Sequence, residues 1–184
     1  MSTLLYGNNC DVDASSHSCD QCAGFEAGRV GYLAAVHKSY FATLSADPVT
    51  IGTWTTGIST GKIIMMSEFR GTISGTHKYK AGFGRRKEKY TGTDFKISGV
   101  DPVWLGNHAF YNDMLESPSY YVVWATETKA QISKYPATWK PDEPTDDQVD
   151  SDREWKLDIE FTQRGFSTPF TFPVGLFDCV TVGP

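Results

Sequence analysis

The sequence predicts a mainly β protein, an antiparallel β-sandwich or half-barrel with one helix. Three observations carry this. The stretch Glu154 to Thr162 alternates Trp155, Leu157, Ile159 and Phe161 with Glu154, Lys156, Asp158 and Glu160. Successive side chains of a strand point to opposite faces, so this is a strand with one apolar and one charged face, as in a half-wet antiparallel sheet. Thr, Gly and Tyr recur while strong helix formers are sparse, which favours strands. The 184 residues suffice for one domain with a real core and not for two comfortable ones.

Residues 1–28 are small, polar and without periodicity, and read as an irregular N-terminal arm. Residues 29–184 read as the single β domain. The arm holds Cys10, His17, Cys19 and Cys22. Cys19-x-x-Cys22 has the spacing of a metal knuckle, with Cys10 or His17 as a third ligand and the distant Cys179 as a fourth. Free thiols, a disulfide and a structural zinc all remain open for this cluster. No βαβ pattern surrounds it, which argues against a thioredoxin-like redox role.

Val30 to Tyr40 is apolar and reads as a strand, with His37 at its polar end. Ser45 to Gly61 reads as a connection with a single helical turn around Thr50 to Thr56. Lys62 to Ile73 reads as one long strand, followed by a return strand over Lys89 to Ser98. Together they predict a long hairpin with a basic tip. The tip holds His77, Lys78, Lys80, Arg85, Arg86, Lys87 and Lys89 against the single acid Glu88. Gly82 and Gly84 loosen its centre.

Asp101-Pro102 predicts a helix start, Asp as N-cap and Pro at the first helical position. The helix is expected over about 102–116. Its apolar stripe is Val103, Trp104, Phe110, Tyr111, Met114 and Leu115, with His108 at the border, and Ser117-Pro118 ends it. Tyr120 to Thr126 is a strand, and Thr128 to Ser133 is expected to pair beside it. Tyr135 to Asp152 reads as a loop with three prolines. It carries Asp142, Glu143, Asp146, Asp147, Asp150 and Asp152. Phe166 to Phe177 reads as an extended tail or a last edge strand.

Net charge is −5, which argues against a dedicated nucleic-acid binder. No run of about 18 apolar residues exists, so no membrane-spanning helix is expected. The first residues lack a basic start and an apolar core, so no secretory signal is read and synthesis in the cytoplasm is expected. Gly-x-Ser-x-Gly, His-Glu-x-x-His and a phosphate loop are all absent, and the four histidines are scattered. The sequence therefore points away from an enzyme. The acidic loop lacks the spacing of a dedicated calcium site.

One chain thus carries a basic tip and an acidic loop of comparable charge. Opposite patches on one surface suit head-to-tail self-assembly. The expected inter-subunit contacts are Lys78, Lys80, Arg85, Arg86 and Lys87 against Asp146 and Asp147 of a neighbouring copy.

The order of elements, an arm, a long hairpin, one helix between strands and a long amphipathic strand, resembles the tail-tube proteins of tailed bacteriophages. The wording of Gly92-Thr-Asp94-Phe, Asp101-Pro102, Phe110-Tyr111-Asn112 and Trp124-Ala-Thr126-Glu127-Thr128 is similar to virion proteins of such phages. The resemblance covers about Val30 to Thr162. It implies a virion structural protein that forms hexameric rings, stacked into a hollow tube that conducts DNA. It implies partners that are copies of itself and other virion proteins, and only transient contact with DNA, without sequence specificity. In the family the hairpin and the arms bridge rings; here these are Thr76 to Lys89 and Met1 to Gly28. The Cys cluster departs from the family pattern. In such a tube Glu154, Lys156, Asp158 and Glu160 would face the channel. A capsid decoration or head–tail connector protein is the alternative within the class. A secreted β-sandwich binding a sugar through Trp54 and Trp139 is an alternative of another class. A small metal-dependent enzyme built on the arm is a third.

Overall fold

The computed structural model describes residues 29–67, 69–84, 87–102, 106–116, 120–126, 129–143, 154–173 and 176. In chain order they form β1 (Arg29–Val30), β2 (Tyr32–His37), α1 (Lys38–Ala46), α2 (Ile51–Ser59), β3 (Ile63–Met66), β4 (Arg70–Lys80) and β5 (Lys89–Asp101). Then come α3 (His108–Glu116), β6 (Tyr120–Ala125), β7 (Lys129–Ile132), β8 (Thr138–Asp142), β9 (Trp155–Gln163) and β10 (Phe170–Thr171). The strands make two five-stranded antiparallel sheets, ordered β1-β4-β5-β9-β8 and β10-β7-β6-β2-β3.

The two sheets pack face to face as a β-sandwich. β9 puts Trp155, Leu157, Ile159 and Phe161 into the core, as its alternation predicts. They meet Phe95 and Ile97 of β5, Leu33 and Ala35 of β2, and Val122 and Trp124 of β6. Phe95 stacks on Phe161 with ring centroids 5.2 Å apart, and Trp124 lies 5.3 Å from Phe161. Such aromatic pairs add about 0.5–1.5 kcal/mol each beyond area burial.

The second sheet is covered on both faces. Ala34 and Val36 of β2 and Val123 and Ala125 of β6 turn away from the sandwich core. They pack under Leu44 of α1, Trp54 of α2, Phe170 and Phe172. This explains why β2 and β6 read as continuous apolar runs and not as alternating ones. The outer face of the first sheet carries no such cover among the described residues.

Several expectations are corrected. The described residues hold three short helices where one was expected. Lys38 to Ala46 is helical because His37 caps it, its Nδ1 accepting from the Ser39 amide at 3.3 Å. Thr50 to Thr56 belongs to a full nine-residue helix. Its Thr and Gly residues favour helix poorly, so tertiary contacts hold it. Trp54 is fully buried and donates its indole N–H to the Pro48 carbonyl at 2.8 Å; Tyr40 donates to the Thr53 carbonyl at 2.8 Å.

Lys62 to Ile73 is not one strand. β3 belongs to the second sheet and β4 to the first, so the chain crosses between sheets near Phe69. Phe69 is buried against Gly71 and Gly99, which face each other across β4 and β5. A Cβ at either glycine would collide with the Phe69 ring.

The third helix starts at His108, not at Pro102. Asp101 is the last residue of β5, and its buried carboxylate accepts from Asn107 Nδ2 and from the Tyr111 hydroxyl, both at 2.7 Å. A capping role is thus displaced by a tertiary one. Tyr111 and Met114 are buried and Phe110 packs on the core, but Leu115 is 60% exposed and lies off the stripe. Val103 and Trp104 lie outside the described residues. Tyr135 to Asp152 is not wholly loop, because β8 pairs with β9 there. Pro141 is tolerated because β8 is an edge strand. Phe170–Thr171 pairs with β7 as the expected edge strand.

Candidate assembly interface

The β4–β5 hairpin is fixed at its root. The Tyr90 hydroxyl lies 2.6 Å from Thr93 Oγ1, which lies 2.8 Å from His77 Nδ1. The Gly165 amide donates to the same Tyr90 hydroxyl at 3.1 Å. Below it, buried Gln163 accepts from the Lys134 amide at 3.0 Å and donates to Ser167 Oγ at 3.0 Å. Ser167 in turn donates to the Ile132 carbonyl at 2.6 Å. Buried polar groups satisfied in this way specify one arrangement. The rings of His77, Tyr79, Tyr90 and Phe166 gather over the root at centroid distances of 5.9 to 6.5 Å.

Beyond Thr93 the hairpin leaves the sheet. β9 ends at Gln163, opposite Thr93, so Lys78–Lys80 and Lys89–Gly92 have no third strand beside them among the described residues. Lys80, Lys87 and Lys89 are exposed and form no ion pair among the described residues. Lys78 differs from expectation: it pairs within its own sheet with Asp94 at 2.7 Å. Arg85, Arg86, Asp146 and Asp147 lie outside the described residues. So do Cys10, His17, Cys19, Cys22 and Cys179, so the fit of this cluster to a zinc ion stands as read from its spacing.

Glu154 precedes β9, and Lys156, Asp158 and Glu160 lie on the strand's outer face, as the alternation requires. That strand alone has three acids to one base in this stretch. The sheet as a whole does not. Asp158 pairs with Lys96 of β5 at 2.7 Å and accepts from Ser98 Oγ at 2.7 Å; Glu160 pairs with Lys140 of β8 at 2.5 Å. Register places Arg29, Arg70, Lys78, Lys96, Lys140 and Lys156 on this face against Asp94, Asp142, Asp158 and Glu160. The face is therefore a checkerboard of both signs. The hydrogen bond from Lys96 holds the Asp158 carboxyl below the ordinary carboxylate range, and Asp158 raises Lys96 in return. Lys78, then Thr162, lower Asp94 in the same way. The lysines were hard to see in sequence, because they sit on strands 20 and 62 to 64 residues away or apart in register.

The two edges of this sheet differ. β1 covers β4 only at Gly71 and Thr72, so Ile73 to Lys80 is an open edge among the described residues. At the opposite edge β8 ends in exposed Asp142 and Glu143. One edge runs toward bases and the other toward acids. His37, His77 and His108 lie on different elements: the β2–α1 junction, β4 and the start of α3. Trp54 and Trp139 are buried, which removes them as exposed sugar platforms. No helix among the described residues is long and apolar enough to cross a membrane.

No family model, no curated protein and no solved structure matches the chain.

Proposed function

We propose that this protein is a non-enzymatic virion structural subunit of the tail-tube type, which joins copies of itself into rings that stack into a DNA channel. The observation that carries the reading is the pair of open edges on one sheet, β4 and β8, with bases toward one and acids toward the other. An unpaired edge is a template for another strand. Every neighbour pair in the sheet is antiparallel. The β4 of a second copy placed beside β8 continues that alternation. The contact is heterologous, and a heterologous contact that closes makes a ring. In that antiparallel pairing the start of β4 meets the end of β8, so exposed Arg70 near Asp142 and Glu143 of the neighbour would set its register.

In such a ring the bare outer face of the first sheet is free to line the channel. Lys78, Lys96 and Lys140 of this face are already paired with Asp94, Asp158 and Glu160, which weakens their hold on passing phosphates. This replaces the wall of carboxylates expected from β9 alone.

Light scattering on the purified full chain tests the reading. At low salt the mass should rise with concentration from 20.4 kDa to a closed multiple. A 20.4 kDa monomer at every concentration would refute it.

A further inference from the structure

Charge is segregated along this chain. Residues 77–90 hold six bases and one acid, a net +5, in a chain whose net charge is −5, so the remainder carries −10. Arg85 and Arg86 enter that count by sequence alone. The segregation coincides with a shape. The paired part of the hairpin projects past the last rung of β9 by roughly 13 Å, four residues from Thr93 to Lys89 at about 3.3 Å per residue. At the tip, Phe83 is 93% exposed between Gly82 and Gly84, and Gly84 has φ +66°. A lone exposed apolar residue is ordinary. An exposed phenyl ring at the end of a rigidly rooted, basic two-stranded ribbon is directional.

We infer that the β4–β5 ribbon is an arm for double-stranded DNA, with Lys87 and Lys89 on the phosphates and Phe83 as a wedge between base steps. A groove of B-form DNA admits a two-stranded ribbon. Apolar side chains at the ends of such elements unstack a step and bend the duplex. The acidic remainder repels the phosphates and confines contact to the arm. One ring suffices for a wedge, whereas insertion into a bilayer needs a broader apolar face than a single Phe between glycines. The inference does not rest on ring formation, because the tip lies beyond the sheet edge assigned to the neighbouring copy.

The test uses the full chain and a fluorescent B-form duplex carrying a donor–acceptor pair at its ends. Saturable binding is expected at low salt, with log K falling linearly against log salt by about 0.9 for each phosphate engaged. Lys87→Glu with Lys89→Glu should lower affinity at least about tenfold and flatten the slope by about 2. Phe83→Ala should keep the slope and lose the shortening of the duplex ends. All three positions are exposed, and circular dichroism checks the fold; Lys87→Gln with Lys89→Gln repeats the test without added acid. Absence of saturable binding, or lysine variants with the wild-type slope, would overturn the arm. A wild-type bend in Phe83→Ala would overturn the wedge. Binding to phosphatidylserine vesicles without binding to the duplex would overturn both in favour of a lipid surface.

Discussion

The Tyr111 hydroxyl on α3 donates to the Asp101 carboxylate at the end of β5, 2.7 Å away. Burial first, and then this bond, push the phenol well above its ordinary range, so it stays a donor. The Tyr111 ring also lies 4.8 Å from Trp155 at the start of β9. One side chain therefore ties the helix to two strands of the first sheet. Tyr111→Phe keeps the ring contact and removes one donor from a buried carboxylate. It should cost about 1–3 kcal/mol in urea unfolding. A change near zero would show that the bond is dispensable.

Gly99→Ala tests the crossing between sheets. Its Cβ would press on the Phe69 ring, on the Arg70 carbonyl and on Gly71 Cα, the last at 2.7 Å. Overpacking of this kind costs about 1–3 kcal/mol. Trimming Phe69 to Leu in the same chain should not restore stability, because the Arg70 carbonyl is backbone and cannot yield.

Much of the first sheet was legible in sequence because each strand there has one wet face. β9 announces itself by alternation, and β5 by Phe95, Lys96 and Ile97. The helices α1 and α2 were not legible. Their aromatic, Thr and Gly residues favour strands locally, and burial of Leu44 and Trp54 against the second sheet overrides that preference. β8 was hidden because Pro141 reads as a loop until its edge position is known. At the candidate interface, the basic tip and the β9 charges were visible. Lys96 and Lys140 as their partners depend on register, which no local pattern encodes.

Acid should weaken the fold in two separate windows. Burial, then Lys62 and Lys38, lower the pKa of His37. The folded chain thus binds this proton less readily than the unfolded chain. His37 contributes nothing above the unfolded value, and stability falls as pH drops below about 6.5. His37→Asn keeps a capping acceptor and should flatten the pH dependence of Tm between neutral pH and pH 5. Asp158, lowered by Lys96 and Ser98, acts further down. Its contribution is full above about pH 4 and is lost as pH falls through its folded value. Asp158→Asn should remove part of that second loss. A pH profile identical to wild type in either variant contradicts the assignment.

The edge charges should behave as a pair. Arg70→Glu should weaken self-association at low salt, and Asp142→Lys should do the same. Combined in one chain they should recover part of the loss, since reversed charges still attract. Exposed pairs are worth about 0–1 kcal/mol and are screened by salt. The effect of each single change should therefore fade as salt rises. Additive losses in the double variant would show that these residues do not meet.

An electron-microscopy map of assembled particles should show β4 of one copy beside β8 of the next, in one continuous antiparallel sheet, with Asp158 and Glu160 on the inner wall. A map with those carboxylates on the outer surface, or with the β4 and β8 edges apart, would contradict this arrangement.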